Sequence, residues 1–87
     1  MAAITKQLTV KSQQGLHARP AAMFVQVANR FDAMITVKKG KQKVNGKSIM
    51  GILMLAAGEG SQITVEADGD DAEQALLELE KIVSKDE

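Results

Sequence analysis

The sequence predicts an α+β (α/β) fold. It is a two-layer open-faced sandwich in the order β-α-β-β-α-β-α, with a four-stranded, mainly antiparallel sheet and three helices on one face, spanning residues 1–87 as a single domain. Three observations predict it. Stretches that alternate apolar and polar residues signal strands, and stretches with apolar residues three and four apart signal helices between them. Each alternating stretch is apolar on one side only, so helices need cover just one face of the sheet and the other face stays wet. Finally, a chain of 87 residues, 45% hydrophobic, sustains one thin core, burying roughly 60–65% of its unfolded surface.

The elements follow in order. Ile4–Val10 alternates, with Leu8 and Val10 on one side, and reads as the first strand. Lys11–Gly15 is a polar turn. From Ala18 the period changes: Ala21, Phe24, Ala28 and Phe31 form one helical stripe, and Pro20 falls in the first turn, where its missing N–H is tolerated. Ala33–Lys39 alternates again, with Ile35 and Val37 inward. Lys39-Gly40-Lys41 signals a hairpin into a short strand over Lys41–Asn45, anchored by Val44. Ser48 is a good N-cap for a short helix through Ile49–Leu55, which Gly58 and Gly60 bring to an end. Gln62–Asp68 alternates as the fourth strand. Asp70 opens the last helix with Glu73 as an acidic capping-box partner. Ala72, Leu76, Leu79 and Val83 make that helix's buried stripe, with Ala75 and Ile82 beside it. Lys81 and Lys85 near its end suit the helix dipole.

Composition removes several function classes. The net charge is zero and the only aromatics are Phe24 and Phe31, so neither a basic excess nor a base-stacking surface points to nucleic acid. With no cysteine and one histidine, disulfides, thiolate chemistry, zinc–thiolate sites and multi-histidine metal sites are out. No cofactor is expected. The N-terminus lacks the apolar stretch of a signal peptide. The apolar block Ile49–Ala57 is interrupted by Gly51 and is far shorter than the ~20 residues of a membrane span. The expectation is a cytoplasmic protein with no membrane insertion.

The segment Gln14-Gly15-Leu16-His17-Ala18-Arg19-Pro20 carries the one histidine. If Ala18 begins the helix, His17 is its N-cap, and the amides of Ala18 and Arg19 lack intrahelical acceptors. A phosphoryl group on the imidazole would meet those amides, the positive end of the helix dipole and the Arg19 guanidinium. Gly15 would let the turn approach closely. On the residues alone, a capping histidine beside a solvated arginine accounts for the same segment. Ser48 has a bland reading as a helix cap and a functional one as a phosphorylation site, since negative charge is tolerated at a helix N-terminus. In the group Met50, Leu53 and Met54, an inward Ile52 and Leu55 would leave Met50 and Leu53 exposed as an adaptable docking patch. Packing under the neighbouring loop is the alternative.

Together, Gly15-Leu16-His17-Ala18-Arg19-Pro20-Ala21 and Lys47-Ser48-Ile49-Met50-Gly51 resemble the phosphohistidine and regulatory-serine signatures of HPr, the histidine phosphocarrier family of the bacterial phosphoenolpyruvate-dependent sugar phosphotransferase system. The likeness covers nearly the whole chain, and the two motifs lie at the family's separation. It implies the same β-α-β-β-α-β-α open sandwich. It implies that His17 accepts phosphate on its δ nitrogen from phosphorylated enzyme I and passes it to enzyme IIA domains, with Arg19 and the Ala18 amide at the phosphoryl group. It further implies phosphorylation of Ser48 by an HPr kinase/phosphorylase, and docking of partners on a surface drawn from Leu16, Ala22, Met23, Ile49, Met50 and Leu53. The family is a carrier rather than a stand-alone catalyst, and is usually monomeric. A regulatory HPr-like protein, in a nitrogen-related or incomplete phosphotransferase system and acting through its phosphorylation state, is the alternative role. One position departs from the family pattern: Gln14 stands where a short Ser, Thr or Asn usually holds the turn.

Overall fold

The computed structural model describes residues 3–85. The elements are β1 (Ile4–Thr9), α1 (Ala18–Ala28), β2 (Met34–Lys39), β3 (Gln42–Asn45), α2 (Ile49–Met54), β4 (Gln62–Asp68) and α3 (Ala72–Val83). The sheet order is β1-β4-β2-β3, and every neighbouring pair is antiparallel. This is the expected two-layer open-faced sandwich.

Alternation becomes layering through the register. Leu8 lies opposite Ile63, Val37 opposite Val65 and Ile35 opposite Ala67, so the apolar partners stack on the helix-covered face. Leu8, Ile35, Val37, Ile63, Val65 and Ala67 are all buried. On the open face Thr36 lies opposite Glu66 and Gln7 opposite Thr64. There Lys38 pairs with Glu66 at 3.5 Å and Gln7 Nε2 donates to Gln62 at 3.0 Å. The β2–β3 register, Lys39 opposite Gln42, leaves Gly40-Lys41 as a two-residue turn with Gly40 at φ 58°.

The helices close the core. Ala21, Phe24 and Ala28 are the buried stripe of α1. Ala72, Ala75, Leu76, Leu79 and Val83 are that of α3, which lies across β1 and β4 and against α1. The six-residue α2 is held at both ends: Ser48 caps its start, and Lys39 Nζ donates to the carbonyls of Leu55 and Ala56 at 3.2 and 3.1 Å. None of these helices is long and apolar enough to cross a membrane.

Three expectations need correction. Val10 lies beyond β1, although it stays buried and its amide and carbonyl pair with Ser61 and Gly60. Phe31 is not on α1: the helix stops at Ala28, with the Asn29 side chain donating to Val25 O at 2.9 Å, and Phe31 packs half-buried from the following turn. The residue preceding α3 is Asp71 rather than Asp70, and no capping box forms. Its carboxylate instead accepts the amides of Asp32 and Ala33, each at 2.9 Å, tying the α1–β2 turn to the start of α3.

Candidate functional site

The loop before α1 is built to present one side chain. Ser12 O accepts the Gly15 amide at 2.9 Å, closing a turn. Gly15 then takes φ 72°, and a β-carbon there would collide with the Ala57 carbonyl. That carbonyl accepts the Leu16 amide at 2.9 Å, which pins the loop to the α2–β4 connection. Gln14 is exposed and makes no hydrogen bond among the described residues, so this turn is held by main chain rather than by the side chain at 14.

His17 follows as the N-cap of α1, extended at φ −81° and ψ −167°. Its carbonyl accepts the Ala21 amide at 2.9 Å, the first bond of the helix. Its imidazole makes no capping bond and is only half-buried. Among the described residues the amides of Ala18 and Arg19 have no acceptor, and Pro20 has no N–H to donate. No acidic side chain occupies the first turn. Arg19 is exposed and in no ion pair among the described residues. The arrangement is a nucleophilic ring at the positive end of an 11-residue helix, with two free amides and a guanidinium nearby.

Ser48 caps α2. Its Oγ accepts the Gly51 amide at 3.1 Å and its carbonyl the Ile52 amide at 3.0 Å. The half-buried hydroxyl still has its proton to donate. Beside it, Asn45 Oδ1 accepts the Lys47 amide at 2.9 Å, and Lys47 Nζ donates to Phe31 O at 2.7 Å.

Ile52 and Leu55 point inward and are fully buried. The opposite face of α2 is therefore open: Met50 is 65% exposed and Met54 67%, with Ile49 and Leu53 also exposed. Met23 of α1 is exposed and Ala22 half-buried. Leu53 and His17 line one shallow recess with Ala56 and Ala57, so the apolar face and the histidine adjoin. Leu16 must be corrected: at 4% exposure it is a core residue that touches the floor of this recess and offers partners almost no surface. Met54 belongs with the exposed face, as its spacing of four from Met50 indicates.

Comparison with known proteins agrees with this geometry. The family model for the PTS HPr component phosphorylation site matches residues 4–85. The chain is 48% identical over 83 residues to the HPr-like protein Crh of Halalkalibacterium halodurans, covering 95% of this chain and 99% of that protein. The crystal structure of the phosphocarrier protein HPr from Bacillus anthracis superposes with a TM-score of 0.92 at 51% identity, over 97% of this chain and 100% of that one. Crh of Bacillus subtilis, a domain-swapped dimer in its crystal, superposes with a TM-score of 0.77 at 42% identity over 95% of each chain. With sequence, fold and the histidine corner in agreement, the chain belongs to the HPr family of the phosphotransferase system.

Proposed function

We propose that this protein is a cytoplasmic phosphocarrier that takes a phosphoryl group on His17 from phosphorylated enzyme I and delivers it to enzyme IIA domains for sugar uptake. The observation that carries the reading is the half-exposed imidazole at the α1 N-cap, beside the unclaimed amides of Ala18 and Arg19. In the neutral ring one nitrogen holds the proton and the other a lone pair. With the proton on Nε2, the Nδ1 lone pair bonds to phosphorus as the bond from phosphorus to its donor breaks, its electron pair leaving with the donor. The helix terminus and Arg19 balance the phosphoryl charge throughout, and little else is asked of the protein in such a transfer. It acts as a carrier, since the group arrives and departs on the same nitrogen.

Ser48 is the regulatory position, phosphorylated by an HPr kinase/phosphorylase. A phosphate there lies at a helix N-terminus and next to the exposed face of Ile49, Met50 and Leu53, on which enzyme I and IIA dock together with Ala22 and Met23. The carrier works as a monomer.

A second reading is favoured by the Crh relatives: a regulatory HPr-like protein acting mainly through its phosphorylation state. Incubation with phosphoenolpyruvate and enzyme I decides between them. Wild type should acquire acid-labile phosphate, placed on His17 by mass spectrometry, and His17→Ala none. Equal labelling of the two, or none in wild type, would reject the carrier.

A further inference from the structure

Ser12 stands out among the buried residues. It is 6% exposed, and its Oγ has no hydrogen-bond partner among the described residues. A hydroxyl held away from water without a partner is costly, and such a group in a folded protein calls for a reason. Its surroundings supply one. Ser12 opens the turn that leads to His17. Together with Gln14, His17, Arg19, Ile82 and Lys85 it lines a recess of about 380 Å³ between the start of α1 and the end of α3. Among the described residues no acidic side chain lines this recess. Its polar groups are hydroxyl, amide, imidazole, guanidinium and ammonium, all able to donate to an anion. The placement is fixed by main chain: the Lys11 amide donates to Val83 O at 3.3 Å, joining the loop to the end of α3 and so bringing Lys85 to the recess.

We propose that Ser12 belongs to the phosphoryl seat. Its Oγ–H donates to an oxygen of the phosphoryl group carried on His17, while Arg19 from α1 and Lys85 from just beyond α3 line the same recess. This rests on His17 being the phosphoacceptor. The hydroxyl is then idle in the free protein and employed in the phosphorylated one, so its function and its effect on folding have opposite signs. Ser12→Ala, which leaves only the β-methyl, removes the buried unpaired polar atom from the free state and a donor from the phosphorylated state.

The test bypasses enzyme I. Wild type, Ser12→Ala and Ser12→Thr are phosphorylated with phosphoramidate, whose P–N bond breaks to release ammonia as the imidazole–phosphorus bond forms. Mass spectrometry assigns the site, and the lifetime of the phosphohistidine and its ³¹P shift are recorded. Ser12→Ala should shorten the lifetime about tenfold, the equivalent of one charge-assisted hydrogen bond, and move the ³¹P resonance. Its unphosphorylated form should melt no lower than wild type. Ser12→Thr, which keeps the hydroxyl, should recover most of the lifetime. In unsubstituted protein, the Ser12 ¹³Cβ resonance should shift on phosphorylation of His17. An unchanged lifetime and ³¹P shift in Ser12→Ala, or a still Ser12 ¹³Cβ signal in phosphorylated wild type, would overturn the role of Ser12 while leaving His17 as carrier. Failure of phosphoramidate to modify His17 would overturn both.

Discussion

At Gly15 the chain takes φ 72° with the Ala57 carbonyl in the space a side chain would need. Gly15→Ala should therefore cost at least about 1–3 kcal/mol in denaturant unfolding, from backbone strain plus displacement of the loop. Phosphotransfer should fall with it, because His17 stands two residues on. Ser48 makes the opposite kind of prediction. An aspartate can still cap α2 by accepting the Gly51 amide, so Ser48→Asp should fold with near-native stability. The new charge lies beside the exposed Met50 face, however, and transfer from enzyme I should weaken about tenfold in its concentration dependence through lost desolvation and repulsion. Unchanged transfer kinetics would remove Ser48 from the docking surface. At this scale the sequence was informative where chemistry is local. The cap positions of His17 and Ser48 follow from a glycine turn and a serine before an apolar run. The burial of Ser12 does not, because a serine in a polar turn carries no mark of the helix end packed over it.

Among the elements, α1 depends most on a single side chain. Phe24 is the largest fully buried residue, and Phe24→Ala should cost roughly 3–5 kcal/mol, measured by urea unfolding. A loss under about 1 kcal/mol would mean that the cavity collapses with little penalty. Strand periodicity was easily read: β4 occupies Gln62–Asp68 as its alternation implies, and Ile35 and Val37 face the core. Helix ends were harder. Phe31 keeps the spacing of the α1 stripe, yet the Asn29 side chain bonds back to Val25 O and the chain turns away. α3 starts one residue later than the local pattern predicts because Asp71 is engaged by amides 38 and 39 positions earlier, a contact that no local pattern contains.

For the molecule as a whole, that Asp71 latch couples stability to acidity. The amides of Asp32, and to a lesser degree of Ala33, hold the carboxyl below its ordinary range against the opposing effect of burial. A depressed folded-state pKa contributes stability above the unfolded value of about 3.9, and the contribution is lost as pH falls through the folded value. Asp71→Asn should thus lower Tm at neutral pH and flatten the decline in Tm as pH is taken below 4. A parallel decline in variant and wild type would show that the latch does not titrate. The zero net charge also conceals a division along the chain. Residues 1–58 hold nine of the 11 basic residues and one acidic residue, Asp32; residues 59–87 hold the other ten acidic ones. The fold intermingles the two stretches, since β4 lies between β1 and β2 and Glu66 and Glu80 pair with Lys38 and Lys6, so the division in sequence is not a division in space.

The bond from the Leu16 amide to the Ala57 carbonyl braces the loop that carries His17 against the chain that leaves α2. The perch beneath the imidazole is anchored to the chain just beyond α2, not to α1 alone. A displacement of α2 should accordingly reach the ring by two routes, through that one amide and through Leu53, which shares its recess.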